Sequence, residues 1–305
     1  MNFEYHLKLR NWIDISKIDW KFLSKNPNAM YLLESNPDKI DWEYLLYNPS
    51  AIPLLRSQAT AEAGMHLLEE NPKKINWKSL SINPLAIDLL EENHDKIYWP
   101  YLSLNPSGIH LLEANPEKIE WIYLSQNPSA IHLLEKNPDK INWDCLSRNP
   151  SAIHLLEKNL DKIDWFSLSR NPSAIDLLKK NIDRIHWDCL SLNPSAIHLL
   201  EANPDKIHWN YLSANPSAIH LLEKNIEKVD WMNLSANPSA IHLLKENPDN
   251  IIWHKVSENP SIFDLDYKFF HRRMNIIREE LMEKTWNPKR FQDWCLSIDE
   301  DTELC

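Results

Sequence analysis

The chain has 305 residues, of which 43% are hydrophobic and 14 are tryptophan, and this composition excludes a disordered protein. A net charge of −11 argues against nucleic-acid binding, which needs a basic face, and only two glycines exclude phosphate-binding loops and nucleophile elbows. No apolar run approaches the roughly 20 residues that span a membrane, no N-terminal segment predicts a secretory signal, and four cysteines do not make a disulfide framework, so we expect a reducing compartment.

A 22-residue repeat dominates the chain. Residues 1–16 precede it and are predicted to form an N-terminal cap, and residues 17–260 carry about eleven copies. Each copy contains an Asn-Pro pair and one tryptophan at a fixed distance before it. These repeat tryptophans are Trp20, Trp42, Trp77, Trp99, Trp121, Trp143, Trp165, Trp187, Trp209, Trp231 and Trp253.

One copy, NPSAIHLLEKNLDKIDWFSLSR, begins at Asn149. The asparagine is a good N-cap and the proline after it suits a first helical turn, so we predict a helix over residues 150–158. Its apolar residues fall on one face of a helical wheel. Asn159 is predicted to cap its C-terminal end, and Asp164 to cap a second short helix that begins at Trp165.

The pattern predicts an all-α fold, a right-handed-type α-solenoid of two-short-helix repeats stacked into a rod or arc about 100 Å long. Neither helix is long enough to be stable alone, so stacking must hold both. The alternative is a leucine-rich-repeat-like α/β solenoid, since the pattern from Ile163 matches three of its four anchors. Its fourth anchor is Phe166 here but Lys78 or Asp144 elsewhere, which a buried strand would not accept, so we favour helices.

Two segments depart from the repeat. Residues 48–82 form one 35-residue unit without an internal tryptophan helix, and we predict a break in the superhelix there, near Gly64. Residues 261–305 are predicted to form a C-terminal helical cap, because FDLDYKFFHRRMNIIREELMEKTW is long enough for a helix that needs no repeat. The basic residues of this cap alternate with glutamates, which is typical of a solvated helix face.

The string NPxAIxLLExNPxKIxWxxLS resembles a tandem repeat that is abundant in predicted proteins of giant nucleocytoplasmic DNA viruses. The resemblance covers residues 17 to about 260, except 50–70, and WNPKRFQDWCL near the C-terminus resembles the W-x-P-x-R-x-x-x-W tail of such proteins. It implies a viral repeat scaffold without a defined activity, located in the cytoplasm of the infected cell or in the virion and not secreted.

A histidine recurs at one repeat position, where Asp88 and Asp176 stand in two copies. The histidines are His66, His110, His132, His154, His198, His220 and His242. A metal array is excluded because ligands one repeat apart, roughly 9–10 Å, cannot share an ion. A pH-sensitive face and a plain solvent-facing position remain, and we favour the second. We likewise expect the tryptophans to pack in the core rather than to stack on bases or sugars.

The two residues after each tryptophan vary between copies, whereas the core positions hardly change. On the helical wheel they lie away from the tryptophan and the leucine, so we expect them to be at least partly exposed. Exposed aromatic residues on a rigid scaffold are typical of binding hot spots. The predicted contact residues are Tyr101, Ile122, Tyr123, Phe166 and Tyr211. The alternative is drift at unconstrained surface positions.

These patterns predict a non-catalytic protein-binding scaffold whose partner carries a basic surface, with no nucleic-acid or membrane partner. The alternative is a structural virion or assembly component that self-associates through its ends. We predict no enzyme activity, cofactor or metal, because the carboxylates recur from copy to copy and the lone histidines His6 and His271 have no partner that would make a catalytic pair.

Overall fold

The computed structural model describes residues 7–51 and 76–285. They form an all-α solenoid, as predicted, with a single two-stranded sheet in this part of the chain. The chain divides into two compact units: residues 10–263, which hold the repeats, and residues 1–9 together with 264–305. The predicted break near Gly64, the histidine at 66 and the WNPKRFQDWCL tail lie outside the described residues.

Most described layers of the solenoid contain two short helices, which we call the Trp helix and the Leu-Leu helix. The described Trp helices are Trp20–Ser24, Trp42–Leu45, Trp77–Ile82, Trp99–Leu104, Trp121–Gln126, Trp143–Leu146, Trp165–Ser169, Trp187–Ser191, Trp209–Ser213, Trp231–Ala236 and Trp253–Glu258. The described Leu-Leu helices are Met30–Glu34, Ile87–Glu92, Ile109–Ala114, Ile131–Lys136, Ile153–Glu157, Ile175–Lys180, Ile197–Glu201, Ile219–Lys224 and Ile241–Glu246. We number the layers by their tryptophans, from layer 1 (Trp20) to layer 11 (Trp253).

The predicted caps are confirmed. The side chain of Asn149 accepts the backbone N–H of Ser151, and the amide of Asn159 donates to the carbonyl of Leu155 at 2.9 Å. Asp164 accepts the N–H of Ser167 at the start of the Trp helix. The first helix is shorter than predicted, Ile153–Glu157 rather than 150–158, because the Asn-Pro pair closes a separate turn and Ala152 leaves the α region with φ −95° and ψ 5°.

The leucine-rich-repeat alternative is wrong. Ile163 has extended backbone angles, φ −70° and ψ 128°, but the chain enters a Trp helix two residues later. No residue in 10–51 or 76–262 belongs to a β-strand. The anchor pattern therefore places buried side chains on a helix, and it does not line a sheet.

The core consists of leucine, alanine and serine. Leu168 of the Trp helix, Leu156 of the Leu-Leu helix and Ala152 are completely buried, as are their counterparts in other layers. The tryptophans lie only half-buried, which corrects the prediction that they pack in the core. In several layers the lysine of the following layer covers the indole ring; the Lys162 ammonium, for example, is 4.7 Å from the centre of the Trp143 ring.

A ladder of asparagine side chains joins the layers. The amide of Asn127 donates to the carbonyls of Ser103 and Asn105 in the preceding layer, at 2.9 and 3.0 Å, while its oxygen caps the next turn. Two such bonds to the preceding layer are made by Asn48, Asn105, Asn127, Asn149, Asn171, Asn193, Asn215, Asn237 and Asn259. These bonds satisfy buried carbonyls that the short helices leave open.

The ladder does not stop at the last layer. Asn26 of layer 1 donates to the carbonyls of Ser257 and Asn259 in layer 11, at 3.0 and 2.9 Å. The Lys17 ammonium also lies 5.1 Å from the centre of the Trp253 ring, as other lysines lie over the preceding tryptophan. Layer 1 therefore stacks on layer 11 as on an ordinary predecessor, and the eleven layers within residues 10–51 and 76–263 form a closed ring.

The closed ring corrects the prediction of a rod or arc. Neighbouring Trp helices pack directly on each other, and neighbouring Leu-Leu helices lie farther apart. Each layer is therefore a wedge, and a stack of equal wedges turns steadily until its first and last members meet. The two end layers cover each other, so they offer no free layer faces for the predicted self-association through the ends.

The remaining described elements lie outside the repeats. Strand β1, Leu7–Leu9, pairs with strand β2, Phe263–Leu265, and Lys8 forms an ion pair with Asp266 at 3.5 Å. A helix of 19 residues, Tyr267–Thr285, follows, where a long helix was predicted. We call it the C-terminal helix.

Candidate protein-binding surface

The Trp helix has an inner and an outer side, which its sequence sets. In layer 5, Leu124 and Ser125 are completely buried, whereas Ile122 and Tyr123 are 55% and 39% exposed. The Ser125 hydroxyl donates to the Trp121 carbonyl and accepts the N–H of Asn142 in layer 6. The helix is thus fixed on its inner side, and the two variable residues after the tryptophan point outward.

The other predicted contact residues are also on the outer side. Phe166 is 43% exposed and Tyr211 is 36% exposed, while Tyr101 is half-buried. All five residues occupy the same two positions of their layers, which span layers 4 to 9. The structure therefore presents them on one continuous row of helices.

The expectation that both variable positions are exposed is wrong in three layers. Ser79, Ser167 and Cys189, each the second residue after its tryptophan, are buried. Neighbouring Trp helices pack directly together, so a small side chain at this position is covered by the adjacent layer. In layer 7, for example, the guanidinium of Arg148 from layer 6 donates to the Ser167 hydroxyl at 3.1 Å.

Tyrosines of layers 4 and 5 form one aromatic group. The rings of Tyr101 and Tyr123 meet edge to face with 6.2 Å between centroids, and Tyr98 contacts Tyr101 in the same manner at 5.0 Å. We call Tyr98, Tyr101, Ile122 and Tyr123 the tyrosine cluster. Tyr98 was not predicted as a contact residue. It stands directly before Trp99, where several other layers carry a capping side chain, and its own side chain forms no cap there.

Phe166 and Tyr211 do not join this cluster. Phe166 packs against the His186 ring at 5.5 Å and under the Arg170 guanidinium at 5.2 Å. Tyr211 stacks on His208, with 4.5 Å between ring centroids and 30° between planes. The predicted contact residues therefore form three aromatic groups along the row, each held in place by a neighbouring side chain.

Carboxylates separate the aromatic groups. Asp144 of layer 6 and Asp188 of layer 8 occupy the first position after their tryptophans, and both are exposed. From layer 5 to layer 9 the row thus alternates between aromatic and acidic residues. Cys145 beside Asp144 is a free, half-buried thiol, and burial raises its pKa, so this position is not a reactive thiolate.

The recurring histidines, which we call the histidine row, lie on the Leu-Leu helices and bridge neighbouring layers. These bridges were not predicted from the sequence. Most of the described histidines contact the glutamate of the preceding layer, as His132 does with Glu113 at 2.8 Å and His220 with Glu201 at 2.8 Å. His198 instead contacts Glu201 of its own layer at 3.4 Å, since Lys179 stands at the glutamate position of the preceding layer. The hydrogen bond from His220 lowers the pKa of Glu201, and a weaker contact with His198 adds to it. No group of three or more metal-binding side chains occurs in the part of the chain that the structure describes.

Comparisons with protein-family models, with curated proteins and with solved structures gave no match in any of the three. Among the helices of residues 7–51 and 76–285, none is both long and apolar enough to cross a bilayer.

Proposed function

We propose that this protein is a non-catalytic repeat scaffold that binds another protein through the outer side of its Trp helices in layers 4 to 9. The observation that carries the proposal is the tyrosine cluster, which includes exposed Ile122, together with exposed Phe166 on the same row of helices. Large aromatic side chains held by their neighbours lose little conformational freedom on binding, which is why they dominate binding energies.

The row also indicates the chemistry of the partner. Exposed Asp144 and Asp188 stand between the aromatic groups, and the chain carries a net charge of −11. A partner segment with apolar side chains separated by lysine or arginine complements this alternation. Complementary charges would speed the encounter and fix the register of the segment along the row.

The setting we propose is viral, on the strength of the resemblance of the repeat to those of giant DNA viruses. The closed ring weighs in favour of a binding role over an assembly role that depends on free solenoid ends, because layer 1 covers layer 11.

The test is affinity purification from infected cells followed by titration of the recovered partner as a pure protein. We expect the variant Tyr101→Ala/Tyr123→Ala/Tyr211→Ala to bind at least about tenfold more weakly than the wild type, since each residue is a candidate hot spot. The variant Tyr31→Ala, an exposed tyrosine on a Leu-Leu helix, is the control and should bind normally. Equal binding by the triple variant would overturn the assignment of this surface.

A further inference from the structure

The variable positions of the Trp helices face the hole of the closed ring. Neighbouring Trp helices pack directly on each other and neighbouring Leu-Leu helices lie farther apart, so the Trp helices form the inner of two concentric circles. The core of each layer lies between these circles, and the outer side of a Trp helix, which points away from that core, therefore points toward the axis of the ring. The wall continues across the closure, where the Phe22 ring meets Tyr44 at 5.6 Å and His254 at 5.7 Å between ring centroids.

The width of the hole limits what can reach this wall. The Trp helices of the eleven layers, about 8 Å apart, form a circle about 28 Å across. Each helix with its side chains extends about 6 Å from its axis, which leaves an opening of about 16 Å. An extended chain or one helix of about 10 to 12 Å fits this opening. A folded domain of about 100 residues is about 30 Å across and does not fit, so a partner has to enter with a single thin segment.

The concave wall brings distant layers to the same segment. The three aromatic groups of the row belong to layers 4 and 5, to layer 7 and to layer 9, and all of them point toward one axis. On a convex surface such groups would diverge, and a thin segment would meet one of them at a time. Inside the ring, one segment near the axis contacts several aromatic anchors at once, and such anchors supply most of the binding energy of an interface.

The charges of the wall favour a basic segment beside the aromatic groups. Within the Trp helices of layers 4 to 10, the charged residues are Asp144 and Asp188. Arg148 and Arg170 follow two of these helices, and both contact side chains of layer 7. Arg148 donates to a serine hydroxyl at 3.1 Å, and the Arg170 guanidinium lies 5.2 Å from the centre of the Phe166 ring.

The opposite arc of the wall carries more lysine than glutamate. Lys255, Lys21 and Lys78 belong to the Trp helices of layers 11, 1 and 3. Two glutamates, Glu258 and Glu43, stand in layers 11 and 2. A segment with lysine or arginine is therefore attracted to the arc of layers 4 to 10 and repelled by the arc at the closure.

We infer that the partner enters the hole of the ring with one extended or helical segment, in which apolar residues alternate with lysine or arginine, and that this segment lies against the aromatic groups of layers 4 to 9. The inference rests on the proposed function, because it concerns the same row of Trp helices. It adds that a folded surface does not reach the row and that the segment needs a free end to enter.

The test uses a ring that cannot open. A short bismaleimide joins Lys25→Cys and Glu258→Cys across the closure, where the two native side chains lie 3.9 Å apart, in a chain whose native cysteines are replaced by alanine. The probe is a fluorescent peptide of about twelve residues, about 40 Å long when extended, in which leucine alternates with lysine. It is attached either to one folded domain or between two.

We expect the one-domain probe to bind, as fluorescence anisotropy would show, and the two-domain probe to bind at least about tenfold more weakly, because a domain about 30 Å across does not pass an opening of about 16 Å. Equal binding of both probes would overturn the inference and show that the row is reached from an open surface. The proposed function would then still be supported if the triple tyrosine variant lost its partner. No binding of either probe would also overturn the inference, because a basic and apolar segment would not be the occupant.

A pair of double variants tests the charges. Asp144→Asn/Asp188→Asn should weaken binding of the one-domain probe about fivefold, since two attractive charges leave the wall. Asp139→Asn/Asp183→Asn removes the same charges from exposed turns of the same layers and should leave binding unchanged. Equal effects of the two double variants would refute the place of the segment on the aromatic arc.

Discussion

The junction between layers 11 and 1 and the junction between layers 2 and 3 differ in their hydrogen bonds, and closeness in sequence does not explain the difference. Layer 11 meets layer 1 across 231 residues of sequence, yet Asn26 makes both ladder bonds there and the N–H of Asp19 donates to the Ser257 hydroxyl. Layer 2 is the sequence neighbour of layer 3, yet within the described residues Asn83 reaches only the Leu46 carbonyl, at 3.4 Å.

The cause is visible in the residues at the second junction. Leu46 stands where the other layers carry serine, so the hydroxyl that elsewhere accepts an N–H from the next layer is missing. The buried hydroxyl of Ser79 in layer 3 also has no hydrogen-bond partner in the structure. Two repeated polar residues, the ladder asparagine and the serine of the Trp helix, therefore hold neighbouring layers together.

The largest expected effect comes from the asparagine ladder. Asn26→Ala removes a cap and two hydrogen bonds to layer 11, and it leaves the buried Ser257 carbonyl without a partner, so we expect a loss of about 3 to 5 kcal/mol in the free energy of unfolding. Asn83→Ala, at the weaker junction, should lose about 1 to 2 kcal/mol. Urea denaturation measures both, with Asn127→Ala as the interior reference that Asn26→Ala should match. An Asn26→Ala effect no larger than that of Asn83→Ala would contradict full ladder bonding at the junction of layers 11 and 1.

The serine at the closure should contribute as much as an interior serine. Ser257→Ala removes the acceptor of the Asp19 N–H, and Ser125→Ala does the same to Asn142, so each should lose about 1 to 2 kcal/mol. Amide hydrogen exchange offers the sharper measurement. The Asp19 amide should be protected in the wild type and exchange faster in Ser257→Ala. Rapid exchange of Asp19 in the wild type would mean that the junction is open.

The lysine that lies over several of the tryptophans makes a smaller contribution. Lys17→Met at the closure and Lys162→Met inside the ring each remove a cation from an indole face, and each should lose about 0.5 to 1 kcal/mol. Thermal unfolding compares the two variants. Lys158→Met, at an exposed lysine directly after a Leu-Leu helix, controls for the change of charge. A clear loss in Lys162→Met with none in Lys17→Met would argue against closure.

The smallest effect is the pH dependence of the histidine row, which bridges several interior junctions, whereas Tyr31 occupies the histidine position at the closure. The pKa of Glu201 is lowered in the folded state, chiefly by the hydrogen bond from His220. Its contribution to stability is therefore present above the ordinary glutamate pKa and is lost as the pH falls through the lowered value. Glu201→Gln should be slightly less stable than the wild type at pH 7 and equally stable near pH 3, as urea midpoints would show. A difference that persists at pH 3 would contradict this assignment.

Much of a single layer could be predicted from the sequence, because caps and helix faces depend on residues close in the chain. Asn149 and Asp164 cap the turns expected of them, and Leu168 is buried as its place on the wheel requires. The hydrogen bonds that the Asn149 amide donates to the preceding layer were not predicted, although one signal in the sequence indicates them. Serine or aspartate would cap equally well, and only asparagine adds the N–H groups that the ladder uses.

Properties that depend on several layers were not predictable in this way. Closure depends on a small rotation per layer, which no spacing within one repeat reveals. The burial of Ser167 and Cys189 depends on how closely the adjacent Trp helices approach. For the candidate surface, the sequence identified the variable positions, but the three groups into which Tyr123, Phe166 and Tyr211 fall are set by their neighbours.

The distance between layer 1 and layer 11 tests the closed ring most directly. Spin labels at Lys25→Cys and Glu258→Cys, in a chain whose native cysteines are replaced by alanine, report it by pulsed electron paramagnetic resonance. The two side chains lie 3.9 Å apart in the ring, so a closed ring predicts a short distance limited by the label linkers. A distance near 90 Å, about ten layer steps of roughly 9 Å in an open stack, would contradict it.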